Sequence, residues 1–295
     1  MAYPIIDEIA GRWLSMQGCL FQAGDPAVTG LFQPTGELMY YEVIRVVRGV
    51  PLFWEDHLAR LARSSGGNIE LPRNLYAQAR SLIAANGIPD ANLRLVLTAA
   101  SCVMHLTASY YPSAAMVKAG VPTGVLAWER ENPNTKIINS DYKAAVAGRF
   151  AQPGPFGPYF ELLLADSKGF LTEGSRSNLF FIRGGEVVSA PDSRILLGIT
   201  RKYVRQAIAD AGSSLVSGLL TLEEIRQGAC KAAFLTGSPI DLLPVSSIEE
   251  CELASGSHPL LKRINSAYLQ IVDRYVQDRM APGRSTVQTA LAADQ

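Results

Sequence analysis

The chain has 295 residues, 48% hydrophobic and 18% charged, which suits a full core and excludes a disordered protein. Lys+Arg at 27 balance Asp+Glu at 27, with no basic block or aromatic-basic stripe, so nucleic acid is not an expected partner. Cys19, Cys102, Cys230 and Cys251 form no C-x-x-C pair, and His57, His105 and His258 lack metal-ligand spacing, so neither a zinc site nor a disulfide framework is expected. Met1–Trp13 carries Asp7 and Glu8 and no apolar core, unlike a secretory signal. The longest apolar-leaning run, Leu93–Leu106, is broken by Arg94 and His105 and falls short of the ~20 residues that span a bilayer. A reduced, cytoplasmic setting is the expectation.

In chain order, Met39–Val47 reads as a strand, Arg48-Gly49 as a turn and Val50–Trp54 as the hairpin partner. Glu55–Ser64 has helical spacing of Leu58 and Leu61, and Asn74–Asn86 is a second helix stopped by Gly87 and Pro89. Leu93–Ala100 and Met104–Tyr110 read as strands. Gly120, Pro122, Gly124 and Pro133 mark a boundary. Beyond it, Asp141–Phe150 is expected to be helical and Ala151–Pro158 a loop. Phe160–Ala165 and Asn178–Ile182 are expected strands, and Arg183-Gly184-Gly185 turns the chain into Val187-Val188. Lys202–Ala211 is a helix, and Thr221 can cap a short one through Gln227. Ala232–Thr236 is a strand, and Pro259–Met280 is the last long helix. The division expected is a smaller N-terminal α/β domain at 1–120, a linker at 121–134, a larger C-terminal domain at 135–280 and a flexible tail at 281–295. Strands and helices alternate in both halves, so the class is two-domain α/β or α+β.

Two segments carry chemistry. Residues 172–178 read Thr-Glu-Gly-Ser-Arg-Ser-Asn, and Gly-Ile-Thr-Arg follows at 198–201. The order supplies a carboxylate and then a Gly-led helix start, whose free N–H groups suit a phosphate. The stretch closely resembles the class IV (fold type IV) aminotransferases: branched-chain aminotransferase, D-amino acid aminotransferase and aminodeoxychorismate lyase. The resemblance runs from about Tyr40 to Tyr275. It implies pyridoxal 5'-phosphate, a homodimer, and a D-amino acid aminotransferase-like fold with the cofactor in the interdomain cleft.

Such an enzyme needs a lysine that carries the cofactor as an aldimine. The candidates are Lys118, Lys136, Lys143, Lys168, Lys202, Lys231 and Lys262. Lys136 is preferred: two isoleucines follow it in Lys-Ile-Ile-Asn, where desolvation favours the neutral amine, and the pattern resembles the family's lysine segment. Lys143 is the runner-up. Glu173 is the expected partner of the pyridine nitrogen. Arg60, in His-Leu-Ala-Arg-Leu, together with Ile199, Thr200, Thr236 and Ser238, would hold the phosphate.

Several departures from the family bear on substrate. The arginine-rich segment of D-amino acid aminotransferases is replaced by Thr98–His105, which has no Arg. Pro239 removes an N–H from the turn where branched-chain enzymes hold the α-carboxylate. The Gln152–Pro158 loop is long for the family. Arg94 is either a fork for a dicarboxylate or a strand-end arginine reaching solvent. Arg130 is the next candidate for the substrate's acid. The reading is a PLP-dependent aminotransferase acting on an amino acid or amine donor and a 2-oxo acid or ketone. The alternatives are a lyase of the aminodeoxychorismate type and a catalytically degenerate PLP-binding homologue.

Overall fold

The computed structural model describes residues 3–5, 8–67, 69–108, 111–131, 133 and 140–281. The first half builds an antiparallel sheet from β1 (Ile9–Met16), β2 (Cys19–Gln22), β3 (Tyr40–Val47), β4 (Val50–Pro51), β5 (Ala91–Leu97) and β6 (Cys102–Thr107), ordered β2-β1-β6-β5-β3-β4. Helices α1 (Trp54–Ser64) and α2 (Leu75–Asn86) cover one face. Alternation decides which residues face them. Tyr40, Ile44 and Val46 of β3 join Leu93, Leu95, Met104 and Leu106 under Trp54, Leu61, Leu75 and Leu82. The intervening Tyr41, Val43 and Arg45 turn to the other face.

The second half builds a larger sheet. Its elements are α3 (Ala114–Ala119), β7 (Val121–Ala127), α4 (Ser140–Phe150), β8 (Glu161–Ala165), β9 (Phe170–Gly174), β10 (Asn178–Arg183) and β11 (Glu186–Ser189), then α5 (Ile199–Asp210), β12 (Leu215–Ser217), β13 (Leu220–Thr221), α6 (Leu222–Arg226), β14 (Ala232–Gly237), β15 (Asp241–Ile248), β16 (Cys251–Glu252) and α7 (Pro259–Met280). The order is β12-β11-β10-β14-β15-β7-β8-β9-β13, with β16 on β15. Its central strands are apolar on both faces because both are covered. Phe180, Phe234 and Leu242 pack on α5 and α7, while Leu179, Phe181, Leu235 and Leu243 pack on the opposite side. Phe180 and Phe234 stack with ring centroids 4.9 Å apart, so truncating either to Ala would cost about 3–5 kcal/mol.

Three expectations change. Val121–Ala127, read as the start of a linker, is a strand between β15 and β8. The chain enters it through Gly120, whose φ of +87 and 2.8 Å clearance from Ser246 N exclude a side chain. The strand expected to reach Ala100 stops at Leu97, because Thr98 Oγ1 accepts from the Ala100 and Ser101 N–H groups and turns the chain. The hairpin partner at Val50 ends at Pro51, and α1 starts at Trp54, whose N–H donates to Tyr275 OH of α7 at 2.9 Å. The tail from 282 onward and Tyr110 lie outside the described residues.

The two halves are tied by charge as well as packing. Lys202 of α5 and Tyr203 OH both reach Asp56 of α1 at 2.7 Å, and Arg279 reaches Glu55 at 2.8 Å. Arg45 pairs with Asp241, which also accepts from Tyr268 OH at 3.0 Å. Among the described residues, no helix is long and apolar enough to cross a membrane, and no three His, Cys, Asp or Glu could hold a metal.

Candidate active site

Strand register gathers the site. β10 runs antiparallel to β14 with Asn178 opposite Thr236, so the start of one lies beside the end of the other. The β14–β15 turn therefore places Ser238 and Pro239 next to Asn178. β9 ends at Gly174 just before β10, which brings Glu173 to the same edge. Leu196 and Gly198 then lead into α5. These residues, with Tyr41, Val43 and Arg60 of the smaller sheet and α1, line one cavity of about 270 Å³. Trp128–Glu131 and Tyr142 close another side.

Glu173 is 3% exposed. Its Oε1 accepts from Arg130 Nε at 2.8 Å and its Oε2 from the Leu196 N–H at 3.2 Å. Burial pushes its carboxyl up to about 7, against the pull of Arg130 and of that N–H. Arg60 is likewise buried. Its Nε and Nη2 grip Glu42 at 2.7 and 2.6 Å, and its Nη1 donates to Leu197 O at 3.2 Å. His57 Nδ1 adds a third contact to Glu42 at 2.7 Å. Burial opposes ionisation of Glu42, yet Arg60 and His57 hold the carboxyl far below the usual range. The His-x-x-Arg spacing thus exists to meet one buried glutamate, and it fixes the Arg60 guanidinium at the cavity wall.

The start of α5 is open to the cavity. Its N-cap is Gly198, which offers no side-chain cap, so Thr200 sits inside the first turn and is not the cap. A Cβ on Gly198 would lie 2.1 Å from Asn178 Oδ1. Asn178 in turn holds Leu196 O at 2.8 Å through Nδ2, shaping the approach to the helix. Thr236 is 1% exposed, and its hydroxyl has no hydrogen-bond partner among the described residues. A buried orphan hydroxyl, uncapped helix N–H groups and a buried carboxylate lining one cavity fit a phosphate-bearing pyridine cofactor.

Of the residues expected from sequence, Arg60, Glu173, Ile199, Thr200, Thr236, Ser238 and Arg130 all line this cavity. So does Lys143. Lys136 lies outside the described residues. Arg94 is not in the cavity wall. It is buried rather than reaching solvent, with its guanidinium 4.7 Å over the ring of Tyr41, which does line the cavity. Beside it, His105 is fully buried and pushed down to about 3, chiefly by burial and then by Arg94.

Sequence reasoning passed over Glu161, Trp128 and Tyr142. Glu161 is buried in the apolar strand Glu-Leu-Leu-Leu-Ala, where Ser175 Oγ and Ser177 Oγ donate to it at 2.5 and 2.9 Å. It is the physical reason for both serines in Gly-Ser-Arg-Ser-Asn, and that pair of hydroxyls was the only signal for it. Tyr142 OH donates to Ser175 O at 2.6 Å, and its ring lies 5.4 Å from Trp128. Nothing in the sequence distinguishes it from a helix-surface tyrosine.

The amino-transferase class IV family profile matches residues 39–248. A probable branched-chain-amino-acid aminotransferase of Rickettsia conorii is 24% identical over 253 residues, covering 79% of this chain and 86% of that protein. A D-alanine aminotransferase of Bacillus licheniformis is 25% identical, covering 77% and 85%. The crystal structure of a T.th. branched-chain amino acid aminotransferase with pyridoxamine 5'-phosphate superposes with a TM-score of 0.74 at 20% identity, covering 91% of this chain and 96% of that one. A Legionella pneumophila structure described as a putative 4-amino-4-deoxychorismate lyase gives 0.67 at 20% identity, covering 81% and 91%. With its two sheets, its open helix start and its buried glutamate, the chain belongs to the class IV aminotransferases, a family of pyridoxal-phosphate-dependent enzymes.

Proposed function

We propose that the protein transfers an amino group from an amino acid or amine donor to a 2-oxo acid or ketone acceptor, with pyridoxal 5'-phosphate held in the cavity between the two sheets. The observation that carries this reading is the placement of Glu173, the uncapped start of α5 and the orphan Thr236 hydroxyl around one cavity. Bound there, the cofactor supplies an aldehyde for the donor and an electron-withdrawing ring. Glu173 holds the proton on the ring nitrogen. Ile199 and Thr200 N–H groups, the Thr236 and Ser238 hydroxyls and Arg60 hold the phosphate. Lys136 would hold the cofactor's aldehyde carbon and serve as the base and acid for the proton at the substrate's Cα. Tyr41, Trp128 and Tyr142 exclude water from the substrate side.

The reading includes a smaller domain through Gly120, a larger one beginning at β7, and a homodimer in the cytoplasm. The test is a panel of donors and acceptors with purified protein and added cofactor, both products being quantified by mass spectrometry. Transfer gives oxo product and amino product in equal amounts. Pyruvate release from a single substrate would favour a lyase instead, and no turnover with any pair would leave only a binding protein.

A further inference from the structure

We propose that Arg130 is the positioning residue that keeps Glu173 ionised, so that the glutamate meets the cofactor's ring nitrogen as a carboxylate. The proposal rests on the functional reading above.

Arg130 is not a loose cavity arginine. Its Nε donates to Glu173 Oε1 at 2.8 Å, and its Nη2 donates to Ser175 O and Tyr142 OH, each at 3.2 Å. The Tyr142 ring lies under the guanidinium at 4.7 Å, and Tyr142 OH is itself fixed on Ser175 O. Two acceptors and an aromatic face therefore aim Nε at the glutamate.

The other charged or titratable groups facing Glu173 do not replace it. Glu161 on β8 is a second buried carboxylate and acts against ionisation. Arg201 on α5 is committed to Ser189 Oγ at 2.7 Å and Asp192 at 2.8 Å. Burial raises the Tyr142 phenol, which stays neutral. Lys143 on α4 lines the same cavity, but the leading pull toward the charged form of Glu173 comes from Arg130. Burial already brings the glutamate near neutrality with Arg130 in place. Without that cation, the desolvated carboxyl would hold its proton well above neutral pH.

This makes a linkage test possible. The complex keeps one proton shared between Glu173 and the ring nitrogen, whereas the free protein loses its Glu173 proton as pH rises. A probe whose ring nitrogen is protonated brings that proton with it, so neutral Glu173 must first release its own; affinity then rises about tenfold per pH unit up to the free-protein titration of Glu173 and levels off above it. Pyridoxamine 5'-phosphate is the probe, because it has no aldehyde and its binding is independent of lysine condensation. Its dissociation constant is measured by quenching of intrinsic fluorescence, with Trp128 in the cavity wall, across pH 6–10. The proteins are wild type, R130M, R130Q and R130K.

The expected result is a break near neutral pH in wild type. In R130M and R130Q it moves to higher pH by about one unit or more, and R130K keeps it near the wild-type position. Titrations of the probe itself are common to all four proteins and cancel in the comparison. A uniform loss of affinity at every pH, with the break unmoved, would assign Arg130 a purely structural role and overturn the proposal. Two uncharged variants guard against one failing to fold. If wild type itself does not bind the probe, the functional reading falls and this assignment falls with it.

Discussion

The wall of the cavity formed by β9, β10, β14 and the start of α5 differs in kind from the wall opposite. On the first, positions follow from register and capping. Asn178 faces Thr236 because β10 pairs with β14, and the helix N–H groups are open because Gly198 cannot cap them. On the second, Trp128, Arg130 and Tyr142 are held by one another through rings and a hydrogen bond, and Tyr41 stacks on Arg94. The first wall suits a ligand of constant shape, such as a cofactor. Tyr41 apart, which pairs with Val96 in the β3–β5 ladder, the second can change residue by residue with substrate, since side-chain contacts hold Trp128 and Tyr142. Substitutions on the first wall should therefore alter cofactor affinity and every reaction alike, while those on the second should separate substrates, except at Arg130, which reaches Glu173.

The largest effect is expected at Lys136. Lys136→Ala should lower turnover by at least about 10²–10⁴-fold, the usual share of a positioned proton-transfer group, with every donor. Borohydride reduction of the holoenzyme and peptide mapping should place the pyridoxyl label on Lys136. A label on Lys143, which also lines the cavity, would move the assignment.

Glu173→Gln should cost about 2–4 kcal/mol of transition-state stabilisation in single-turnover measurements, again for all donors. It should also change stability in the cofactor-free protein, and the sign is fixed. The folded carboxyl titrates at about 7, above its reference value of 4.5. The folded state thus binds the proton more tightly, and stability is lost as pH rises between those values. At pH 8 the Gln variant should be more stable than wild type by about 1–3 kcal/mol, and near pH 4 the gap should close. Urea unfolding at both pH values reads it. A gap independent of pH would mean that Glu173 titrates normally.

The same contrast governs what the sequence made legible. Glu173, Thr200 and Arg60 were readable because their segments combine rare residue types at fixed spacing and each serves a feature of constant shape. Tyr142, Trp128 and Glu161 were not, because their partners come from other elements and their own neighbours give no pattern. Among the strands, β10 and β14 were plain as short apolar runs. β15 was hidden by Pro244 and its paired serines, which break a strand pattern, although its register with β14 places Pro244 opposite Phe234. β1 was hidden by Gly11 and Arg12, and its pairing with β6 slips between Ile9 and Leu14. Arg94 was visible as a lone charge in an apolar strand, but sequence could not show that Tyr41 stands between it and the cavity.

A smaller effect is expected at Thr236. Its hydroxyl has no partner among the described residues, so Thr236→Val should be nearly neutral for unfolding of the cofactor-free protein. Cofactor affinity should nonetheless fall by roughly tenfold, about 1.4 kcal/mol, the scale of one hydrogen bond to a charged group. Equilibrium dialysis against pyridoxal phosphate decides between this and a hydroxyl that stays unpaired in the holoenzyme. A large loss of stability in the cofactor-free variant would instead reveal an internal partner.

The smallest effect lies where the two walls meet, at Pro239. The Gly237–Ile240 turn closes through Ile240 N–H to Gly237 O at 3.0 Å, and Pro239 within it lines the cavity without an N–H to offer. Pro239→Ala restores one donor at the edge of the cofactor wall, facing the substrate side. If the substrate's α-carboxylate rests on this turn, KM for a 2-oxo acid should fall about two- to tenfold with kcat unchanged, matching ~0.5–1.5 kcal/mol for one added hydrogen bond. An amine or ketone substrate lacking that carboxylate should show no change. The unfolding free energy should drop by about 0.4–1 kcal/mol from the freer unfolded chain, which urea titration measures separately. Equal KM shifts for acid and ketone would mean that the turn has moved rather than gained a contact. An unchanged KM for the acid would place the carboxylate on the opposite wall, among Tyr41, Trp128 and Arg130.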